Sequence, residues 1–180
     1  MRFFNVLALV AGASAAATGL LSARHDKDKC LKKNDVDYLV AAYKSILTKW
    51  EPAKADFIAD HGFFDYSDSI NVIAGIPTGF PIFPNKTAFV SHENTNPESL
   101  PLVVVEIGPY NCEQITLIWS ATFTAIPGGT PLPVRGITVL EGDYNERQRQ
   151  WEIQSIKVEF NSINFWKNIG GVCTRPAPPS

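Results

Sequence analysis

Trp151-Glu152-Ile153-Gln154-Ser155-Ile156-Lys157-Val158-Glu159-Phe160 carries two apolar alternations that are out of phase. Trp151 and Ile153 share one parity, while Ile156, Val158 and Phe160 share the other. Strand side chains alternate between two faces. One face therefore stays apolar across the switch only if a residue is inserted or the buried face changes. A β-bulge near Gln154-Ser155 is the simplest solution, and it would bend the sheet sharply. This segment predicts a curved sheet able to wrap around another element.

The preceding segments supply more strands. Ile115, Leu117, Trp119, Ala121 and Phe123 lie on one face of a long strand. Thr116, Ser120, Thr122 and Thr124 alternate with them, interrupted by Ile118. Pro127-Gly128-Gly129-Thr130-Pro131 makes a hairpin turn into Leu132 to Glu141, and the charged run Gly142 to Gln150 reads as a second hairpin loop. Leu102 to Ile107 reads as a strand that is apolar except for Glu106.

Upstream the period changes. Asn34, followed by Asp35 and Asp37, reads as a helix N-cap with acidic residues in the first turn. Val36, Leu39, Val40, Tyr43, Ile46, Leu47 and Trp50 then recur at helical spacing, so one stripe must be buried. Lys54 to His61 is expected as a short second helix ended by Gly62, and Lys86 to His92 as a third. Phe63 to Tyr66 reads as a short strand running into a polar turn, Ser67-Asp68-Ser69. Asn71 to Pro84, broken by Gly75, Pro77, Gly79 and Pro81, is expected as an ordered loop. Helices followed by an antiparallel meander give an α+β fold: a cone-shaped curved sheet around the N-terminal helix.

The ends bound location and domain count. Met1-Arg2, the apolar run Phe3 to Ala13 and small residues through Ala17 have the layout of a secretory signal peptide over 1–17. A charged leader follows over 18–29, then one domain over 30–173 and a Pro-rich tail over 174–180. The protein is expected to be secreted and extracellular, without a membrane anchor. Net charge of −2 lacks the basic excess that nucleic-acid binding requires. Of Cys30, Cys112 and Cys173, the outer two bracket the domain and are the preferred disulfide, leaving Cys112 as a buried or half-buried core thiol. Asn85-Lys86-Thr87 is an N-glycosylation sequon in a loop context, marking Asn85. No cluster has metal-ligand spacing and no Gly-rich phosphate loop precedes a helix, so neither metal nor cofactor is expected.

Asp65-Tyr66-Ser67-Asp68-Ser69-Ile70-Asn71, Asn111-Cys112, Val134-Arg135-Gly136-Ile137 and Glu159-Phe160-Asn161-Ser162 with Trp166 resemble the nuclear transport factor 2-like, or SnoaL-like, proteins. More narrowly, the chain is similar to a secreted filamentous-fungal subgroup of unknown function, over Cys30 to Cys173. Many of that subgroup carry a further cysteine after the Asp-Tyr-Ser-Asp-Ser motif, where Ile73-Ala74-Gly75-Ile76-Pro77 has none. That departure would leave Cys112 without a partner. The resemblance implies a pocket between helices and concave sheet, used in the wider superfamily for isomerisation, dehydration, cyclisation or epoxide hydrolysis, or for binding alone.

Asp65 or Asp68 in an apolar cone could act as a base, with Tyr66 or Tyr43 donating to an oxyanion. Asp and Ser clusters also cap turns, and turn chemistry favours that structural role. Tyr43 lies on the buried stripe, and Trp50 and Trp119 are expected to line the cavity. Arg135 and Glu159 are charges within strands. They either pair inward as a polar focus for a ligand or pair outward across the sheet. His25, His61 and His92 form no assignable catalytic pair. The first functional reading is a non-enzymatic pocket protein for a small apolar molecule or a protein partner. The second is a cofactor-free lyase or isomerase acting on a polyketide- or terpenoid-like substrate. A homodimer through the Thr-rich convex face is a further expectation.

Overall fold

A computed structural model of the chain describes residues 29–95 and 99–174. The stretch expected as a signal peptide, nearly all of the expected leader and the tail beyond Thr174 lie outside the described residues. Helix α1 spans Lys33–Thr48, and a 3₁₀ turn Pro52–Phe57 follows. Strand β1 (Phe64–Tyr66) then leads into α2 (Asp68–Ala74) and α3 (Lys86–Thr95). Strands β2 (Leu102–Tyr110), β3 (Gln114–Phe123), β4 (Leu132–Asn145) and β5 (Gln150–Phe160) form the meander, and α4 (Ser162–Asn168) ends the fold. The sheet order is β1-β5-β4-β3-β2. Four strands are antiparallel, and β1 adds to the free side of β5 in parallel, making the sheet mixed.

The phase switch in β5 is a bulge. Glu141 pairs with Ser155 and Gly142 with Ile153, so Gln154 is the extra residue. Both alternations thereby reach one face: Ile153 is 0% exposed and Ile156 2%. Gly142 sits opposite the bulge because a Cβ there would come within 3.0 Å of Leu39 and 3.2 Å of Trp151.

Helix α1 lies in the concavity. Val36, Leu39, Val40, Tyr43 and Ile46 are buried, as the stripe required. Each such side chain contributes about 1.5–3 kcal/mol on leaving water. The exposed Lys33–Asp37 pair contributes at most about 0.5 kcal/mol, so burial fixes the helix. The helix starts at Lys33, one residue before the expected cap at Asn34, and the Asp35 carboxylate accepts the Lys32 amide at 2.8 Å.

Several expectations change. The run Gly142 to Gln150, expected as a hairpin loop, is loop only over 146–149, since β4 continues to Asn145 and β5 begins at Gln150. Lys54 to His61 is not an α-helix. After the 3₁₀ turn, Ile58 bridges to Ile153 and the Ala59 amide donates to its carbonyl at 3.0 Å, drawing the segment into the sheet. Residues 71–74 belong to α2, which ends at Gly75 with φ 70°, where the Ile76 amide donates to the Asn71 carbonyl. The disulfide joins Cys30 to Cys112, not Cys173, and Cys173 is a free, exposed thiol. The Leu31 amide donates to the Cys112 carbonyl at 3.1 Å, holding Cys30 at the β2–β3 turn. The α4 helix packs against Ala125 and Leu132 at the other end of β3. A ten-residue strand separates the two sites by about 30 Å, beyond the reach of Cys173.

Candidate functional site

The concave face is set by parity. Ile115, Leu117, Trp119, Ala121 and Phe123 of β3 oppose Leu140, Thr138, Gly136, Val134 and Leu132 of β4. Thr138 is the polar residue in this inward row, and its hydroxyl is a hub. It accepts the Trp119 Nε1–H at 2.9 Å and bonds the Tyr43 hydroxyl at 2.9 Å. Thr138, Tyr43 and Trp119 are 0%, 1% and 2% exposed, so neighbouring atoms cover all three. Gly136 makes the arrangement possible. The Trp119 indole lies across it, and a Cβ at position 136 would meet Cζ2 at 2.3 Å.

From the hub a row of rings leads outward. Trp119 and Phe160 centroids are 6.0 Å apart, Phe160 and Phe165 5.1 Å, and Phe165 and Phe123 5.2 Å. Phe165 belongs to α4, which therefore closes this end of the cone. Trp50 lies beyond α1, donating Nε1–H to Asn94 Oδ1 at 2.9 Å and meeting Phe89 edge-on at 6.0 Å. Phe89 also meets Phe63 and Phe83, while Phe83 packs on His92 at 5.0 Å. Burial holds the His92 imidazole below its ordinary pKa.

The acidic candidates separate by face. Asp65 pairs with inward-facing Ile156 in the parallel ladder and is 6% exposed, so it points into the cone. It lies two strands and one side-chain row from Thr138. Tyr66 takes the opposite face of β1. Partial burial, then its hydrogen bond to the Asp68 carboxylate, raises its pKa. Asp68 Oδ1 accepts the Gly79 amide at 2.8 Å. Glu159 and Arg135 are exposed on the convex face and sit in different rows: Glu159 opposes Ile137, and Arg135 opposes Ser120. Glu159 accepts the Asp68 amide at 2.7 Å and the Ser69 amide at 2.9 Å, and takes the Ser69 hydroxyl as well. The Asp-Tyr-Ser-Asp-Ser motif and the Glu-Phe-Asn-Ser motif are thus wired together at the start of α2. Ser67 completes that start by accepting the Ile70 amide at 3.0 Å.

Asn85 is exposed and caps α3, its Oδ1 accepting the Ala88 amide at 2.8 Å. At the disulfide end, an open cleft of about 240 Å³ is lined by Lys29, Cys30, Lys32, Asp35, Tyr144 and Trp151. Among the described residues, no group of three or more His, Cys, Asp or Glu side chains is placed to hold a metal ion, and no helix is long and apolar enough to cross a membrane. Sequence reasoning did not name Thr138 or Phe165, and it gave Gly136 and Phe160 no place in the site. The available signal was Thr138 at an inward parity of β4, opposite an apolar face of β3.

The sequence profile of the NTF2-like domain matches residues 29–172. The chain belongs to the NTF2-like family. No curated protein matches it. Among solved structures it is similar to a candidate isomerase of Bacillus subtilis, with 13% identity, 77% of this chain and 94% of that one covered, and a TM-score of 0.55. An NTF2-like protein of unknown function from Burkholderia pseudomallei gives 14% identity, 78% and 100% coverage, and 0.53. A candidate SnoaL-like polyketide cyclase of Shewanella denitrificans gives 7% identity, 76% and 97% coverage, and 0.52. These likenesses are of fold.

Proposed function

We propose that this NTF2-like chain is a secreted, non-catalytic binding protein whose cone takes up a small apolar molecule. The carrying observation is the row of rings Trp119, Phe160, Phe165 and Phe123, which leads from the Tyr43–Thr138–Trp119 hub to the end of the sheet. Such a lining suits a flat apolar ligand oriented by few polar groups. The hub hydroxyls bond one another, and Tyr66, Asp68 and Glu159 are engaged with each other's neighbourhood and the α2 backbone on the outer side. The Cys30–Cys112 disulfide suits the oxidising compartment that secretion implies. Native mass spectrometry of the purified protein with terpenoid and lipid mixtures tests the reading. A stoichiometric apolar adduct is expected, and its absence across the mixtures would sink it.

Asp65 favours a second reading, a cofactor-free lyase or isomerase of a polyketide- or terpenoid-like substrate. Its carboxylate is inward and buried, as a base in an apolar cone requires. Tyr66, on the other face of β1, would take no part, leaving Tyr43 as the donor. Turnover of a bound adduct that Asp65→Asn abolishes while still binding it would establish this reading over the first.

A further inference from the structure

The outermost ring of the row comes from a short terminal helix, not from the sheet. Helix α4 has seven residues, too few to persist in water without its packing. Beside the apolar packing of Phe165, its polar attachments to the sheet end are neutral hydrogen bonds. Asn164 Nδ2 donates to the Pro133 carbonyl at 2.7 Å. Asn168 accepts the Leu132 amide at 2.9 Å and donates to the Leu132 carbonyl at 2.8 Å. The Ala125 amide donates to the Asn168 carbonyl at 2.8 Å. No strand pairing of the sheet passes through α4, so its release would leave the whole ladder standing. Gly170, with φ 99°, and Gly171, folded against Trp166, follow the helix at once and supply backbone freedom at its end.

We propose that α4 is the gate of the cone: it lifts as a unit, and a flat apolar molecule takes the place of the Phe165 ring between Phe123 and Phe160. The inference rests on the binding reading above and adds the position and route of the ligand. Phe165 occupies that slot, its ring 5.1 Å from Phe160 and 5.2 Å from Phe123. Trp119 forms the inner wall, 6.0 Å from Phe160, and reports on occupancy through its fluorescence. Inner rows such as Leu117 and Leu140 are 0% exposed and stay packed, so the subsite is confined to the α4 end.

The test compares the full chain with Asn168→Ala, which removes the two side-chain bonds to Leu132. Amide hydrogen exchange and the rate of naphthalene uptake, followed by tryptophan fluorescence, are measured on both. In the unmodified protein, α4 amides should exchange at least about tenfold faster than those of β3 and β4. The variant should raise α4 exchange and the uptake rate together by about tenfold, the scale of two lost net hydrogen bonds. If Asn168→Ala does not fold, Asn164→Ala replaces it with a smaller expected rise. Exchange of α4 only together with β3 and β4 would overturn the gate. Uptake at the same rate in both proteins would also overturn it while leaving the binding reading intact. Fast α4 exchange with no uptake in either protein would overturn the binding reading, and this inference with it.

Discussion

Residues at van der Waals contact decide the interior. Gly136 has no side chain because the Trp119 indole occupies the space where one would stand. Gly136→Ala is expected to cost about 1–3 kcal/mol, the range for overpacking a filled core, and to break the Trp119–Thr138 bond. Denaturant midpoints and the tryptophan emission maximum measure both effects. His92 belongs to the same scale. Its folded pKa lies below the ordinary 6.5, because burial beside Phe83 disfavours the cation. The unfolded chain therefore binds more protons at this site as pH falls through and below 6.5, and the folded state loses stability there. Thermal melts between pH 7.5 and 5 should show that loss reduced in His92→Asn, and equal slopes for the two proteins would refute the assignment. Sequence placed Tyr43 and Trp119 inside correctly, because strict periodicity governs both elements. It left Arg135 and Glu159 undecided, because the bulge that reverses parity lies in the strand carrying Glu159. The hub needed the register of β3 against β4, which pairs Trp119 with Gly136 and no local pattern encodes.

Elements were legible where their stabilising contacts are local or periodic. Helix α1 has its stripe, and the bulge in β5 announces itself as a change of phase. Helix α2 was hidden for a physical reason: Ser67 caps it locally, but the acceptors of the Asp68 and Ser69 amides come from Glu159, ninety-one residues after Asp68. The Gly- and Pro-containing stretch after Asn71 looks like loop until that carboxylate is in place. Glu159→Ala should therefore destabilise α2 selectively, costing about 1–2 kcal/mol from three lost charge-assisted acceptor bonds and the favourable helix-end charge. Hydrogen exchange over residues 68–74 is the measure, with β3 amides as the internal control. Uniform acceleration across both would mean that Glu159 supports the whole fold instead. Helix α4 differs: its cap is local, Asn161 accepting the Asn164 amide at 3.0 Å, and it is short enough that its packing, not its sequence, defines it.

At the scale of the molecule, the curved sheet and its wrapped helix were readable, while the disulfide was not. Bracketing positions suggested Cys30–Cys173, but the ends of a domain need not lie at the same end of its sheet. The Cys30–Cys112 link closes a loop of 82 residues and contributes about 4–5 kcal/mol in the loop-entropy account. The convex face carries a second whole-molecule expectation. Ile118 and Ile137 stand opposite one another at its centre, with Glu106 and Glu159 at the ends of their row and Arg135 and Lys157 in the rows on either side. A second copy related by a two-fold axis through this apolar centre could set Arg135 against the carboxylates. Light scattering should then report a dimer, converted to monomer by Ile137→Lys; a monomer at all concentrations would dismiss it. The central claim, a cone that binds a small apolar molecule, is tested most directly by a two-dimensional NMR titration of the labelled protein with naphthalene. The account predicts saturable shifts at the Trp119 indole N–H and at Phe123, Phe160 and Phe165. Shifts confined to the outer face, or none, would contradict it.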